Sequence, residues 1–158
     1  MPETLVIDIG PIVALARAGA LDLVARLPIE FVCPPEVKAE LDEGQRAGYP
    51  AAASAWLKVV PLVTPVDPLA TAAVDPGEAA VIQLAREQGI AVVCIDERKG
   101  RRAALAVGLQ VTGSLGLLIR SKHLGLTPAV RPFIERAMES GIWYDTGLIR
   151  RVLALEGE

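Results

Sequence analysis

Short apolar runs alternate along the chain with longer stretches whose apolar residues recur every three or four positions. Leu5-Val6-Ile7, Phe31-Val32-Cys33, Ile90 to Ile95 and Leu109-Gln110-Val111 belong to the first kind and predict buried strands. The second kind begins at Pro11, with Ile12, Leu15 and Ala16 at helical spacing and Gly19 as the stop. It recurs at Leu21 to Leu27, Pro35 to Glu43 and Ala51 to Lys58, then from Asp75-Pro76-Gly77-Glu78 to Gln88, where Gly89 ends it. Further helices are predicted over Arg98 to Val107, Ser114 to His123, Pro128 to Glu139 and Thr146 to Leu155. Val59 to Val63 reads as an edge strand, because Pro61 would remove a ladder hydrogen bond from a central one. Thr64 to Val74 reads as a Pro-bearing loop. Strands alternating with helices predict an α/β fold, a parallel sheet wrapped on both faces, with ligands at the carboxyl ends of the strands.

The 158 residues predict a single domain, 1–158, with a helical tail from about 126 to 158. A hydrophobic content of 52% against 22% charged residues excludes charge-rich disorder. The net charge of −3 and a pI of about 5.3 exclude a general basic binder of duplex nucleic acid, so any such footprint is a local patch. With two cysteines, Cys33 and Cys94, and one histidine, His123, neither a disulfide scaffold nor a zinc finger is available. A metal site would be built from oxygen ligands. No export signal or membrane span is legible; the longest uncharged stretch, Ala103 to Ile119, is too short and holds Gln110 and three glycines. The cytoplasm is the expected address, and both cysteines are expected as free thiols packed in strands.

The rule about strand ends directs attention to Asp8, after the first strand, and Asp96, after the third confident one. Each is also a good helix N-cap. Glu78 is read by spacing: Val81, Ile82 and Ala85 lie three, four and seven positions on, so Glu78 shares the apolar face of its helix. An inward carboxylate is costly without a partner, and a metal ion or an arginine is the usual one. Its bland role is the far end of a capping box begun by Asp75. Glu40 borders the stripe set by Val37 and Leu41, whereas Glu36, Asp42 and Glu43 read as solvated surface. Glu97 reads as a further ligand or as a favourable charge in the first turn of its helix.

In four segments the chain resembles the PIN-domain family, in particular a branch of predicted nucleic-acid-binding proteins. They are VIDIGPIVALARAGALDLV at 6–24, VCPPEVKAEL at 32–41, DPGEAAVIQLA at 75–85 and IDERKGRRAALAVGLQVTGSLGLL at 95–118. The resemblance implies a three-layer α/β/α sandwich with a central parallel sheet, here with extra C-terminal helices. It puts the family's acidic positions on Asp8, Glu40, Glu78 and Asp96, with Asp8, Asp96 and Glu78 as metal ligands. It implies an endoribonuclease dependent on Mg²⁺ or Mn²⁺, the toxin of a toxin–antitoxin pair with an antitoxin protein as partner, and a homodimer. Two positions depart from the pattern. Gly10 stands where a hydroxyl residue is usual two places after the first Asp, and Glu97 where this branch often has a second Asp. Thr112 and Ser114, after the next strand, are candidate sources of the hydroxyl. Gly10 also favours the alternative, a non-catalytic RNA- or protein-binding module on the same fold.

Hard oxygen ligands at adjacent strand ends suit Mg²⁺ or Mn²⁺, and metal-assisted hydrolysis needs no protein nucleophile. Arg98, Lys99, Arg101 and Arg102, the densest basic cluster, are candidate RNA-phosphate contacts, with Arg98 and Arg101 on one helix face. Their bland role is a solvated face with an internal ion pair. Gly113-Ser114-Leu115-Gly116 lacks the lysine of a phosphate loop. A phosphoacceptor receiver would need paired acids at the first strand and a lysine after the last, and has neither. His123 reads as a surface capping residue, and Trp56, Trp143 and Tyr144 as core or interface anchors. Ile142, Trp143, Leu148, Val152 and Leu155 in the tail add apolar surface that either folds back onto the parent sheet or supports the homodimer toward which the resemblance tips the reading.

Overall fold

The computed structural model describes residues 2–47 and 55–158. Its strands, β1 (Glu3–Ile7), β2 (Ile29–Cys33), β3 (Leu57–Val59), β4 (Val92–Cys94) and β5 (Gln110–Thr112), form one five-stranded sheet in the order β3-β2-β1-β4-β5. Every neighbouring pair is parallel, with Val6 opposite Val32 on one side of β1 and Ile7 opposite Cys94 on the other. Leu5, Val6 and Ile7 are all fully buried, as are Val93, Cys94 and Ile95. Apolar runs without alternation are what a sheet covered on both faces requires.

The helices are α1 (Ile9–Arg17), α2 (Leu21–Ala25), α3 (Pro35–Arg46), α4 (Ala70–Ala73), α5 (Pro76–Gln88), α6 (Arg98–Ala106), α7 (Ser114–His123), α8 (Arg131–Glu139) and α9 (Thr146–Leu155). Parallel crossovers are right-handed. The connections from β1 through β2 to β3 run one way along the sheet, and those from β3 through β4 to β5 run the other. They therefore put α1 and α3 on one face and α5 and α6 on the opposite one. Contacts agree: α5 packs on α6, β1 and β4, while α1 packs on α2, α7 and α8. The result is the expected three-layer α/β/α sandwich. α3 also touches α5, which brings its Glu40 to the start of that helix. The direction of winding reverses between β1 and β4, leaving a crevice at their carboxyl ends.

Several boundaries differ from expectation for physical reasons. α1 starts at Ile9, so Pro11 occupies the third helical position, where a missing N–H breaks no intrahelical bond. α3 continues past Gly44 to Arg46, the glycine costing about 1 kcal/mol, which the burial of Val37 and Leu41 outweighs. Of the helix expected over Ala51 to Lys58, residues 51–54 lie outside the described residues, and Leu57 and Lys58 belong to β3. The edge strand is β3, Leu57–Val59, which shares only Val59 with the expected Val59 to Val63 and ends two residues before Pro61. The stretch expected as a loop over Thr64 to Val74 contains the one-turn helix α4. Its flank is fixed by Glu87, which accepts from the N–H groups of Val63 (2.7 Å) and Thr64 (3.1 Å).

The tail folds back on its own domain. Ile134, Ala137, Ile149, Val152 and Leu153 are buried in the common core. Glu158 ties the end of α9 to the rest, accepting from Lys122 at 2.8 Å and from the N–H groups of Val130 and Arg131 at 3.0 Å. Val152, expected to serve association between copies, is thus spent inside the monomer, whereas Trp143 and Leu155 remain 81% and 84% exposed. His123 pairs with Glu156 at 2.8 Å, linking α7 to α9. Cys33 and Cys94 are free and buried in β2 and β4. No helix among the described residues is long and apolar enough to cross a membrane.

Candidate functional site

The crevice between β1 and β4 opens into a cleft of about 910 Å³ lined by Asp8, Asp75, Glu78, Asp96 and Glu97. Asp8 and Asp96 come to it from hydrogen-bonded neighbours, the Asp8 N–H donating to the Cys94 carbonyl at 3.0 Å. Arg98, Arg101 and Arg102 line the same cleft, as do Leu105, Trp143 and Asp145 from farther along the chain.

Asp8 occupies the N-cap position of α1, yet its side chain makes no capping hydrogen bond. One reason is local: the residue three positions on is Pro11, which has no N–H to donate. Asp8 is only 4% exposed, and its Oδ1 is buried without a hydrogen-bond partner. Burial pushes its pKa up to about 7. The Ile9 N–H opposes that shift, and the nearby carboxylates of Asp75, Glu40 and Asp96 add to it.

Glu78 does lie on the inward face of α5, 3% exposed, with Oε2 buried and unpartnered. Burial raises its pKa to about 8, helped by Asp75 and by the charges of Asp8 and Glu97. Its backbone completes the expected cap, the Glu78 N–H donating to Asp75 Oδ1 at 2.8 Å. Glu40, on α3, is more open; burial and then Asp75 and Glu43 raise its pKa. Asp75 therefore has two roles. It caps α5, and its charge acts on Asp8, Glu40 and Glu78 alike. Sequence reasoning saw only the cap, because an Asp before Pro-Gly-Glu explains itself locally.

Asp96 is held differently. Its Oδ1 accepts from the Ser114 N–H at 2.8 Å and its Oδ2 from the Ser114 hydroxyl at 2.7 Å. It thus satisfies the start of α7, whose own N-cap, Gly113, has no side chain to do so. The Tyr144 hydroxyl lies 2.7 Å from Ser114 Oγ and extends the chain of hydrogen bonds into the tail. Burial pushes the Tyr144 pKa up to about 12, with Ser114 opposing. Ser114, fully buried, is the hydroxyl that stands beside the acids; Gly10 lines the cleft with open space around it.

Three glycines make room for these carboxylates. A Cβ on Gly77 would lie 2.6 Å from Glu40 Oε1, 3.4 Å from Asp75 Oδ1 and 3.7 Å from Asp8 Oδ1. On Gly100 it would lie 2.7 Å from Glu78 Oε2, and on Gly113 2.6 Å from Asp96 Oδ1. Glu40, Glu78 and Asp96 thus rest against bare backbone, closer than a Cβ would permit, while Asp75 and Asp8 stand at ordinary contact distance.

The basic residues divide by exposure. Arg101 is half-buried and donates to the carbonyls of Ile95 (2.7 Å) and Thr112 (3.2 Å), clamping the ends of β4 and β5. Arg98 and Arg102 are exposed at the cleft. Lys99 faces an adjoining hollow of about 290 Å³ that shares Asp75, Glu78 and Glu97 with the main cleft. Glu97 is exposed at the N-cap of α6 and makes no capping bond. Asp145 caps α9, accepting from the Leu148 N–H at 2.8 Å, and reaches the cleft only because the tail folds back. No local sequence signal marks it.

The donor set is all carboxylate, the chemistry that hard divalent cations prefer. Among the described residues no three acidic, histidine or cysteine side chains close around one point. Mg²⁺ usually takes one or two carboxylates and keeps several waters, so a pair of these acids with buried, unpartnered oxygens fits such an ion. Asp8 with Glu78 would hold it, and Asp96, whose two oxygens already accept from Ser114, could add a further lone pair.

No curated protein and no solved structure gives a significant match to this sequence. The sequence profile described as a PIN domain matches residues 4–158, nearly the whole chain, and the parallel sheet with acids at its reversal point is the architecture expected of it. The chain belongs to the PIN-domain family.

Proposed function

We propose that the protein is an endoribonuclease dependent on Mg²⁺ or Mn²⁺. Its family has a nuclease-type fold associated with nucleic acid and is generally dependent on divalent metal. Of the three buried carboxylate oxygens without partners among the described residues, Glu36 Oε2, on a residue expected at the solvated surface, lies outside the cleft; the observation that carries the reading is the other two, Asp8 Oδ1 and Glu78 Oε2, beside exposed arginines in one cleft. A carboxylate buried unpaired costs several kcal/mol, roughly, and a cation is what relieves it. Asp8, Asp96 and Glu78 are the proposed ligands, with Glu40, Asp75 and Glu97 adding negative potential. When bound, the ion would supply a water of lowered pKa and neutralise charge on the phosphodiester.

The chain's own residues do the rest. Ser114 fixes the rotamer of Asp96 through both carboxylate oxygens. Arg98 and Arg102 hold RNA phosphates, and Arg101 keeps the strand ends that carry Asp96 together while adding positive charge to the cleft. As the toxin of a toxin–antitoxin pair, the domain would be restrained by an antitoxin protein. Growth arrest on expression, relieved by the product of a small neighbouring reading frame, tests that role. Of the tail residues expected to support a homodimer, Trp143, Leu148 and Leu155 stay exposed, and a light-scattering mass of 16.7 kDa at micromolar concentration would exclude one.

The decisive test is cleavage of single-stranded RNA by purified protein with Mn²⁺, with EDTA, and by Asp96→Asn. Metal-dependent cleavage that the substitution lowers at least 100-fold is expected. Absence of cleavage with any divalent cation, alongside retained RNA binding, supports the non-catalytic module that Gly10 favours. Cleavage unaffected by Asp96→Asn refutes the assigned ligand.

A further inference from the structure

We infer that Trp143 is a stacking platform for an unpaired nucleobase, one that seats a single-stranded RNA so that a neighbouring phosphodiester lies over the carboxylates. The inference rests on the RNA reading above and names how the strand is held. Trp143 is 81% exposed, an unfavourable state for the largest apolar side chain unless something covers it. It borders both the acidic cleft and an adjoining hollow of about 570 Å³. Leu105, 60% exposed, lines the acidic cleft with it and supplies a second apolar surface there.

The ring is presented by fixed backbone. On one side, Ile142 packs against the core and its N–H donates to the Ala137 carbonyl at 3.0 Å. On the other, Tyr144 is bonded to Ser114, which holds Asp96, and Asp145 caps α9. Trp143 is thus one residue from a hydrogen-bonded path to a proposed metal ligand, and its position is set relative to that ligand.

Charge identifies the occupant. Arg98 and Arg102 are exposed in the same cleft, so an aromatic face and cationic side chains stand together. That combination suits a polyanion with flat apolar groups, and bases of a duplex, already stacked on one another, cannot offer theirs.

The test measures binding, not cleavage. Fluorescence anisotropy of a labelled ten-nucleotide oligouridylate in EDTA gives Kd for the wild type, Trp143→Ala and Trp143→Phe. Trp143→Ala is expected to weaken binding about 10-fold, and Trp143→Phe only two- to three-fold, since it keeps an aromatic face. Tryptophan fluorescence should be quenched by the oligonucleotide in the wild type and not in Trp143→Phe. Equal Kd values for wild type and Trp143→Ala overturn the inference, whatever the cleavage assay shows. So does a wild-type dimer that Trp143→Ala converts to monomer, because the ring is then an interface residue. Weakened binding by Trp143→Ala in a protein that never cleaves RNA upholds the inference and rejects the ribonuclease reading alone.

Discussion

Replacing Asp8 by Asn should stabilise the protein at alkaline pH and leave it nearly unchanged in acid. Asp8 is 4% exposed, and its pKa stands at about 7 against an ordinary 3.8. Below about pH 4 the group is protonated in both folded and unfolded chains and makes no difference. Between about pH 4 and 7 the folded protein holds a proton that the unfolded chain has released, so stability falls as pH rises. Above pH 7 the penalty is complete. At about 1.4 kcal/mol per pKa unit its ceiling is about 4 kcal/mol, and relaxation of the cleft brings the expected value to about 2–3 kcal/mol. Asn keeps the shape of the protonated carboxyl without the charge. Thermal unfolding followed by circular dichroism at pH 4 and pH 8.5, in EDTA, reads the effect. A gain of about 5–10 °C at pH 8.5 and less than about 2 °C at pH 4 is expected for a chain of this length. Repeating the pH 8.5 measurement with millimolar Mn²⁺ should raise the wild type and narrow the gap, since a cation bound only by the folded state stabilises it. An Asp8→Asn protein destabilised by the same amount at both pH values would refute the reasoning, because the carboxylate would then be contributing favourable contacts and no charge penalty.

Gly100→Ala should destabilise by about 1–3 kcal/mol in urea unfolding, because the added methyl would meet Glu78 Oε2 at 2.7 Å and Ile95 Cγ2 at 2.9 Å. It should also lower activity by displacing Glu78, so an unchanged Kd for Mn²⁺ would contradict the position assigned to that acid. The arginines should separate by assay. Arg101→Ala is expected to cost about 1–3 kcal/mol of stability through two lost bonds to backbone carbonyls. Arg102→Ala should stay within about 0.5 kcal/mol of wild type while weakening RNA binding and reducing its salt dependence.

The layered fold was legible because strands buried on both faces leave unbroken apolar runs, as Leu5-Val6-Ile7 does, and because Gly19, Gly89 and Gly108 adopt the positive φ that ends helical segments. The inward direction of Glu78 was legible from the spacing of Val81, Ile82 and Ala85. Less visible was anything decided by a second segment. α4 has four residues and none buried, so no periodicity announces it. Asp8 and Asp96 both read equally well as N-caps. What separates them from that role is Pro11 in one case and Ser114, eighteen residues away, in the other. The apolar stripe of α9 predicts that something covers Ile149 and Val152, and only the fold shows that the cover is the domain itself. Trp143 and Asp145 owe their place in the cleft to the same return of the tail.

The pairing of β1 with β4 gives the acidic site a gauge. Asp8 and Asp96 follow adjacent parallel strands, and such strands stand about 4.8 Å apart because backbone hydrogen bonds have one length. Asp8 leaves β1 one residue after its end and Asp96 leaves β4 two residues after, so the spacing of the strand ends that carry them is inherited from the peptide chain and owes little to how well the interior is filled. A substitution that loosens the interior, Leu15→Ala for example, would lower the melting point while each molecule still folded kept the same spacing. Among such variants, specific activity should track the folded fraction alone. Catalytic geometry and thermal endurance are then separately adjustable properties of this chain.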